Sequence, residues 1–255
     1  MNKIQVNQIT LAYERLGNGA PLMLIHGFPF DHTIWNGVST LLKDEFTLIL
    51  PDLRGFGQST TVETPYTMSD MADDLADLLD HLGIEKAALA GHSMGGYVAL
   101  AFAKKYPQRV SGLCLVASQA AADLPERKAN RYKDADAVVQ MGVGIIAEGM
   151  TPKLSADADL QAFLRPLMER QTPPAVIGSL KAMAEREDLL SHLSSVAFPV
   201  ILIHGDADKL IPIEHAREIQ TVQPSAQLVA LQGVGHMPMM ESPGGTADGL
   251  RFLLG

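Results

Sequence analysis

Short apolar runs recur along the chain and alternate with segments of helical periodicity. Leu22-Met23-Leu24-Ile25-His26, Phe46-Thr47-Leu48-Ile49-Leu50, Ala87-Ala88-Leu89-Ala90, Val110–Ala117, Val200-Ile201-Leu202-Ile203-His204 and Gln227–Leu231 read as strands. Most lack the polar alternation of a sheet with one wet face, which predicts strands covered on both sides. Between them, Met71, Leu75, Leu78, Leu79 and Leu82 recur at helical spacing, with Thr67 or Ser69 to cap the helix and Gly83 to end it. Ile34–Leu42, Gly96–Tyr106 and Ile213–Val222 also read as helices, and Gln5–Val6 and Thr10–Glu14 as short antiparallel strands. The pattern predicts a mostly parallel sheet with helices on both faces. It breaks from about Gln119 to Ser195, where Pro125–Gly142, Asp159–Gln171 and Ala175–Arg186 read as helical. That stretch leaves one strand and hands back to another, so it is expected to lie over the strand ends.

Composition narrows the function. The 255 residues suit one α/β domain with an insertion. A net charge of −9 without a basic cluster argues against nucleic acid or an anionic membrane surface as partner. Cys114 is the only cysteine, so no internal disulfide and no cysteine metal site is expected. Met1–Val6 has no signal-peptide core and no apolar run is long enough to span a bilayer, which makes the cytoplasm the simplest location. Nothing in the chain sets an oligomeric state.

The chemistry starts at Gly91-His92-Ser93-Met94-Gly95, a G-x-S-x-G between an expected strand and an expected helix. A serine on such a turn is a nucleophile elbow, with its hydroxyl at a helix N-terminus that favours developing negative charge. A phosphate cradle fits less well. A dinucleotide fingerprint needs glycine at Ser93 and an acid after the next strand, where Ser118-Gln119 stand. A serine hydroxyl is a weak nucleophile until a neutral imidazole, oriented by a carboxylate, takes its proton. His236 follows the last strand and is the best base. His92 shares the elbow with its side chain directed away from Ser93. His26 and His204 close strands, and His32, His81, His192 and His215 fall on helices or polar surface. Two acids compete after the Val200–His204 strand, Asp206 and Asp208, and spacing alone leaves both open. Backbone N–H groups of Met94 and Phe28 are the expected oxyanion donors.

These pieces resemble the α/β-hydrolase superfamily over essentially the whole chain. The matching segments are His26-Gly27-Phe28-Pro29, Asp52–Ser59, Gly91–Gly96, His204–Pro212 and Gly235-His236-Met237-Pro238. The resemblance implies an α/β-hydrolase fold, a mostly parallel eight-stranded sheet flanked by helices. It implies a core of 1–118 and 196–255 and a helical cap, 119–195, inserted after the strand ending near Ala117. The superfamily's Gly-x-x-Asp pattern matches Gly205 and Asp208, which selects Asp208 beside Ser93 and His236. Asp52 and Arg54 match a turn taken as structural. Serine, where dehalogenases and epoxide hydrolases carry aspartate, implies acyl transfer without metal or organic cofactor.

The expected activity is cleavage of small, largely apolar carboxylic esters through an acyl-enzyme. An enol-lactonase or C–C bond hydrolase with the same triad is the alternative, and a slow-turnover ligand receptor is the alternative of another class. Phe30, Trp35 and Met237 are expected beside Phe28 and Met94 in the pocket, with Met141, Met150, Met168 and Met183 of the insertion as weaker candidates. Arg127, Arg131, Arg165, Arg170 and Arg186 are expected on solvated faces, leaving the pocket apolar.

Overall fold

The computed structural model describes residues 1–254. The strands are β1 (Asn2–Val6), β2 (Ile9–Leu16), β3 (Ala20–Ile25), β4 (Phe46–Pro51), β5 (Ala87–His92), β6 (Val110–Val116), β7 (Val200–Gly205) and β8 (Gln227–Leu231). They form one eight-stranded sheet in the order β1-β2-β4-β3-β5-β6-β7-β8. β1–β2 and β2–β4 pair antiparallel. Every other pair is parallel.

Parallel pairing needs crossovers, and helices supply them. They are α1 (Asn36–Leu42), α2 (Met68–His81), α3 (Met94–Lys105), α4 (Pro125–Met141), α5 (Gly144–Leu154), α6 (Ala158–Glu169), α7 (Pro173–Ala184), α8 (Glu214–Val222), α9 (Pro238–Glu241) and α10 (Pro243–Arg251). α2 starts with a capping box in which Thr67 and Asp70 satisfy each other's backbone N–H. It buries Met71, Leu75, Leu78 and Leu79.

The sheet divides the core by strand parity, because successive side chains face opposite ways. Met23, Ile25, Leu89, Leu113, Leu115 and Leu202 pack with residues of α2, α3 and α8. Leu22, Leu24, Ala88, Ala90, Cys114 and Ile201 pack with residues of α1 and α10.

Between β6 and β7 the chain builds α4 to α7, with α4 against α7 and α5 against α6. Sequence periodicity anticipates α4, α6 and α7 but not α5. Gly144, Gly149 and Pro152 hide that helix from a propensity reading. Its buried side divides between the layers, Ile146 in one and Ala147 and Leu154 in the other. Among the described residues no helix is long and apolar enough to cross a membrane.

The register aligns the carboxyl ends of the parallel strands. Ile25 faces Gly91, His92 faces Val116, Val116 faces Ile203, and Gly205 faces Leu231. The loops after β3, β5, β7 and β8 therefore emerge along one edge, where open α/β sheets place their ligand sites.

Candidate active site

Ser93 stands between β5 and α3 at φ 50°, ψ −114°. That region costs a non-glycine residue on the order of 1–3 kcal/mol and persists only where the surroundings enforce it. The enforcement is local. Ser93 N–H donates to Val116 O at 2.9 Å, and Ser93 O accepts from Gly96 N–H at 2.9 Å and Ser118 Oγ at 2.8 Å. A Cβ on Gly91 would lie 2.2 Å from Gly95 O, and one on Gly95 2.4 Å from Ile25 O, so neither position admits a side chain. Met94 opens α3, and its N–H is among the first-turn donors that have no partner inside the helix.

The sheet edge brings Ser93, Asp208 and His236 together. His236 Nε2 lies 3.0 Å from Ser93 Oγ, and His236 Nδ1 lies 2.7 Å from Asp208 Oδ2. A carboxylate only accepts, so Nδ1 donates, and Nε2 of the neutral ring turns its lone pair to the serine hydroxyl. Asp208 is buried, and its Oδ1 accepts from Leu210 N–H at 2.8 Å and Ile211 N–H at 3.0 Å. Burial alone would raise its pKa. The positive charge that His236 carries when protonated, the His204 side chain and the Ile211 N–H outweigh it and hold the carboxyl well below its ordinary value. Asp206 instead accepts the Gly233 N–H at 2.7 Å, a turn-capping contact.

Residues that the sequence does not flag hold the His236 loop. His236 N–H donates to Leu154 O, at the end of α5, at 2.8 Å. The Glu241 carboxylate accepts Gly235 N–H at 3.1 Å, Met237 N–H at 3.0 Å and Ser155 Oγ at 2.7 Å. The buried His92 donates from Nε2 to His236 O at 2.8 Å. Burial, then the positive charge of a protonated His236, pushes His92 down to about 3, so the His92 ring is neutral. Glu241 follows His236 by five positions, which is a weak signal. Leu154 and Ser155 carry none.

His32 opens a short 3-10 helix, as one of its expected placements, and is buried. Its N–H and Nδ1 reach Asp52 Oδ1 at 3.0 and 2.6 Å, and Asp52 raises its pKa against the opposing pull of burial. Asp52 Oδ2 accepts Gln58 N–H at 2.8 Å, and Arg54 pairs with Asp74 through two 2.7 Å contacts. Asp31, His32 and Asp52 converge within 4.8 Å, a spacing a metal ion could use. Their donor atoms are committed elsewhere, with Asp31 bound to Thr33 and to the Arg170 guanidinium. The cluster is a hydrogen-bonded strut.

A cavity of about 260 Å³ opens on Ser93 and His236, and Phe28 lines it. Ile145, Ile146, Met150, Leu180 and Met183 form an apolar wall from the insertion, with Tyr97 from α3 and Leu210 and Ile211 after β7. The remainder is polar: Arg127, Asn130, Arg131, Asp134 and Lys153. A larger cavity of about 480 Å³ lies along α3 and α7, shares Tyr97, and contains none of Ser93, Asp208 and His236. The smaller one is adjacent to the reactive groups.

Several pocket expectations need correction. Phe30, Trp35 and Met237 are wholly buried in the core layer of α1 and α10, and the cavity lining omits them. Strand parity turns that layer away from the Ser93 side. Met150 and Met183 do line the cavity, whereas Met168 is core and Met141 is exposed. The arginines differ most. Arg186 is buried against Asp123 and stacks over Tyr97 at 4.2 Å, while Arg127 and Arg131 face the cavity.

Comparison with known proteins agrees with this fold. Residues 20–243 match the family described as the alpha/beta hydrolase fold, and the chain belongs to that family. It is similar to a thermophilic esterase from Thermogutta terrifontis, solved with malate bound, at 38% identity and TM-score 0.95, covering 100% of this chain and 98% of that one. It is 30% identical to the pimeloyl-[acyl-carrier protein] methyl ester esterase of Nitrosomonas europaea, over 90% of this chain and 94% of that protein. It shares its fold with the enol-lactonase of Burkholderia xenovorans LB400, at 23% identity and TM-score 0.91, covering 99% of each chain.

Proposed function

We propose that the protein is a serine hydrolase that cleaves small carboxylic esters through an acyl-enzyme. The observation that carries this reading is the continuous line from Asp208 through His236 to Ser93, at 2.7 and 3.0 Å. Ser93 Oγ attacks the ester carbonyl while His236 Nε2 takes the hydroxyl proton. The imidazolium that forms is stabilised by Asp208, and the N–H groups of Met94 and Phe28 receive the oxyanion. The tetrahedral intermediate collapses as His236 protonates the leaving alcohol. Water, deprotonated by His236, then attacks the acyl carbon, and the carboxylic acid leaves as Ser93 regains its proton.

The esterases among the similar proteins support the reaction class. A cavity of about 260 Å³ falls below the usual range for drug-sized ligands, which favours small substrates. In this reading residues 119–195 are the cap: α4, α5 and α7 wall the cavity, and α5 also grips the His236 loop through Leu154.

The test is hydrolysis of a p-nitrophenyl ester series by the wild type and Ser93→Ala. The variant is expected to lose about 10⁴- to 10⁶-fold in kcat. A variant that keeps its activity on the preferred ester removes Ser93 from the reaction.

A further inference from the structure

The polar part of the cavity lining is positively charged although the chain as a whole is acidic. The protein has 20 Lys and Arg against 29 Asp and Glu. The cavity beside Ser93 reverses that balance, with Arg127, Arg131 and Lys153 against Asp134 alone. Behind it, one buried carboxylate, Asp123, serves three guanidiniums, those of Arg127, Arg131 and Arg186. Burial works to raise the Asp123 pKa, but Arg131 and Arg186 outweigh it and hold the group ionised. Counting this backing, two carboxylates face four cationic side chains, which leaves an excess of two positive charges.

The cations are not equally committed. Arg131 and Arg186 are tightly held by Asp123. Arg127 reaches Asp123 only at 3.5 Å, and its two terminal nitrogens approach Leu210 O at 3.5 Å, the outer limit of a hydrogen bond. Its side chain remains 40% exposed. Lys153 is exposed and enters no ion pair among the described residues. Arg127 and Lys153 thus have donors to give. A guanidinium fork matches a planar carboxylate, and an ammonium adds a movable point charge.

We infer that Arg127 and Lys153 form a carboxylate-binding subsite of the Ser93 cavity, so that the preferred substrate is a small ester that itself carries a carboxylate. This rests on the esterase reading and replaces the apolar substrate expected from sequence. The cationic wall takes the free carboxylate, and the apolar wall takes the hydrocarbon between it and the ester. Where the carboxylate lies on the acyl side, hydrolysis of the acyl-enzyme frees a second one beside it, and the two like charges favour product departure.

The test uses matched pairs. Mono-p-nitrophenyl glutarate is compared with its methyl-capped diester, which places the carboxylate on the acyl side. 4-Acetoxybenzoate is compared with its methyl ester, which places it on the alcohol side. In at least one pair the charged ester is expected to exceed the neutral one in kcat/KM by about tenfold at low ionic strength, mainly through KM. The ratio should fall towards one in about 0.5 M salt. Arg127→Gln and Lys153→Gln should each lower the charged-to-neutral ratio by about three- to tenfold. A ratio at or below one in both pairs, with the neutral esters hydrolysed, overturns the subsite and leaves the esterase reading intact. Variants that slow both members of a pair equally also overturn it. If none of these esters is hydrolysed, the esterase reading fails and this inference with it.

Discussion

The sheet edge and the inserted helices meet at one cavity, yet they build it by different means. At the sheet edge, backbone places the side chains. Ser93 is held by a strained turn that Gly91 and Gly95 permit, and the ends of β7 and β8 deliver Asp208 and His236 in register. In the insertion, packing between helices far apart in sequence decides which residues face the cavity. Arg127 and Lys153 reach it only because α4 and α5 pack together over the strand ends. Backbone-defined sites leave local motifs, and packing-defined walls do not. Under the proposed function, chemistry belongs to the sheet edge and substrate choice to the helices between β6 and β7.

The acid gives the largest effect that bears on this contrast. Asp208→Asn removes the carboxylate that sets the His236 tautomer and is expected to lower kcat by about 10³- to 10⁴-fold. Asp206→Asn, two positions earlier, should stay within about twofold, since Asp206 caps the Gly233 turn. Ester hydrolysis by the two purified variants decides it, and the reverse order would undo the register argument.

Glu241→Gln comes next, because it tests whether the insertion also serves the sheet edge. Glu241 ties Gly235, Met237 and Ser155 together. Loss of its charge should lower kcat by about tenfold with KM little changed. An equal loss in an unrelated KM-only pattern would make Glu241 a substrate contact instead of a positioning residue.

Met150→Ala is smaller again. Met150 lines the apolar wall, and its truncation should shift preference towards longer acyl chains by a few fold without changing the Ser93 chemistry. A chain-length profile across acetate to octanoate esters reads it. An unaltered profile would detach substrate choice from the insertion.

The pH dependence of stability leaves the chemistry aside and reads the buried histidines behind the sheet edge. His92 and His26 are buried with lowered pKa values, from an ordinary 6.5 in each case. Below about pH 6.5 the unfolded chain takes up protons that the folded rings refuse. Stability therefore falls as pH drops below 6.5, by up to about 1.4 kcal/mol per pH unit for each ring, and for His92 this continues towards about 3. His32 is raised, so its contribution is complete below 6.5 and is lost only at higher pH. Denaturant midpoints measured between pH 7 and 4 should decline, and a flat profile would show that these histidines are solvated.

The same distinction explains what could be read from the sequence. The alternation of apolar runs and helices anticipates the sheet, because each run is buried on both faces. Gly91–Gly95, Asp208 and His236 follow strands and sit in short motifs, so they are legible. Asp208 over Asp206 depended on the superfamily pattern, since the turn after β7 can aim either side chain. Phe30, Trp35 and Met237 lie in the other core layer, because nearness to a motif says nothing about sheet face. A charged residue on a helix is ordinarily solvated, and only tertiary packing around Asp123 turns Arg127 and Arg131 of α4 inward. α5 was missed through its glycines and Pro152.

The central claim is that Ser93 Oγ is the atom that becomes acylated. Rapid-quench mass spectrometry during turnover of a p-nitrophenyl ester tests it most directly. One acyl group per chain on the peptide containing Ser93, lost in Ser93→Ala, is the predicted result. An acyl group on any other residue, or full turnover by Ser93→Ala, would contradict it.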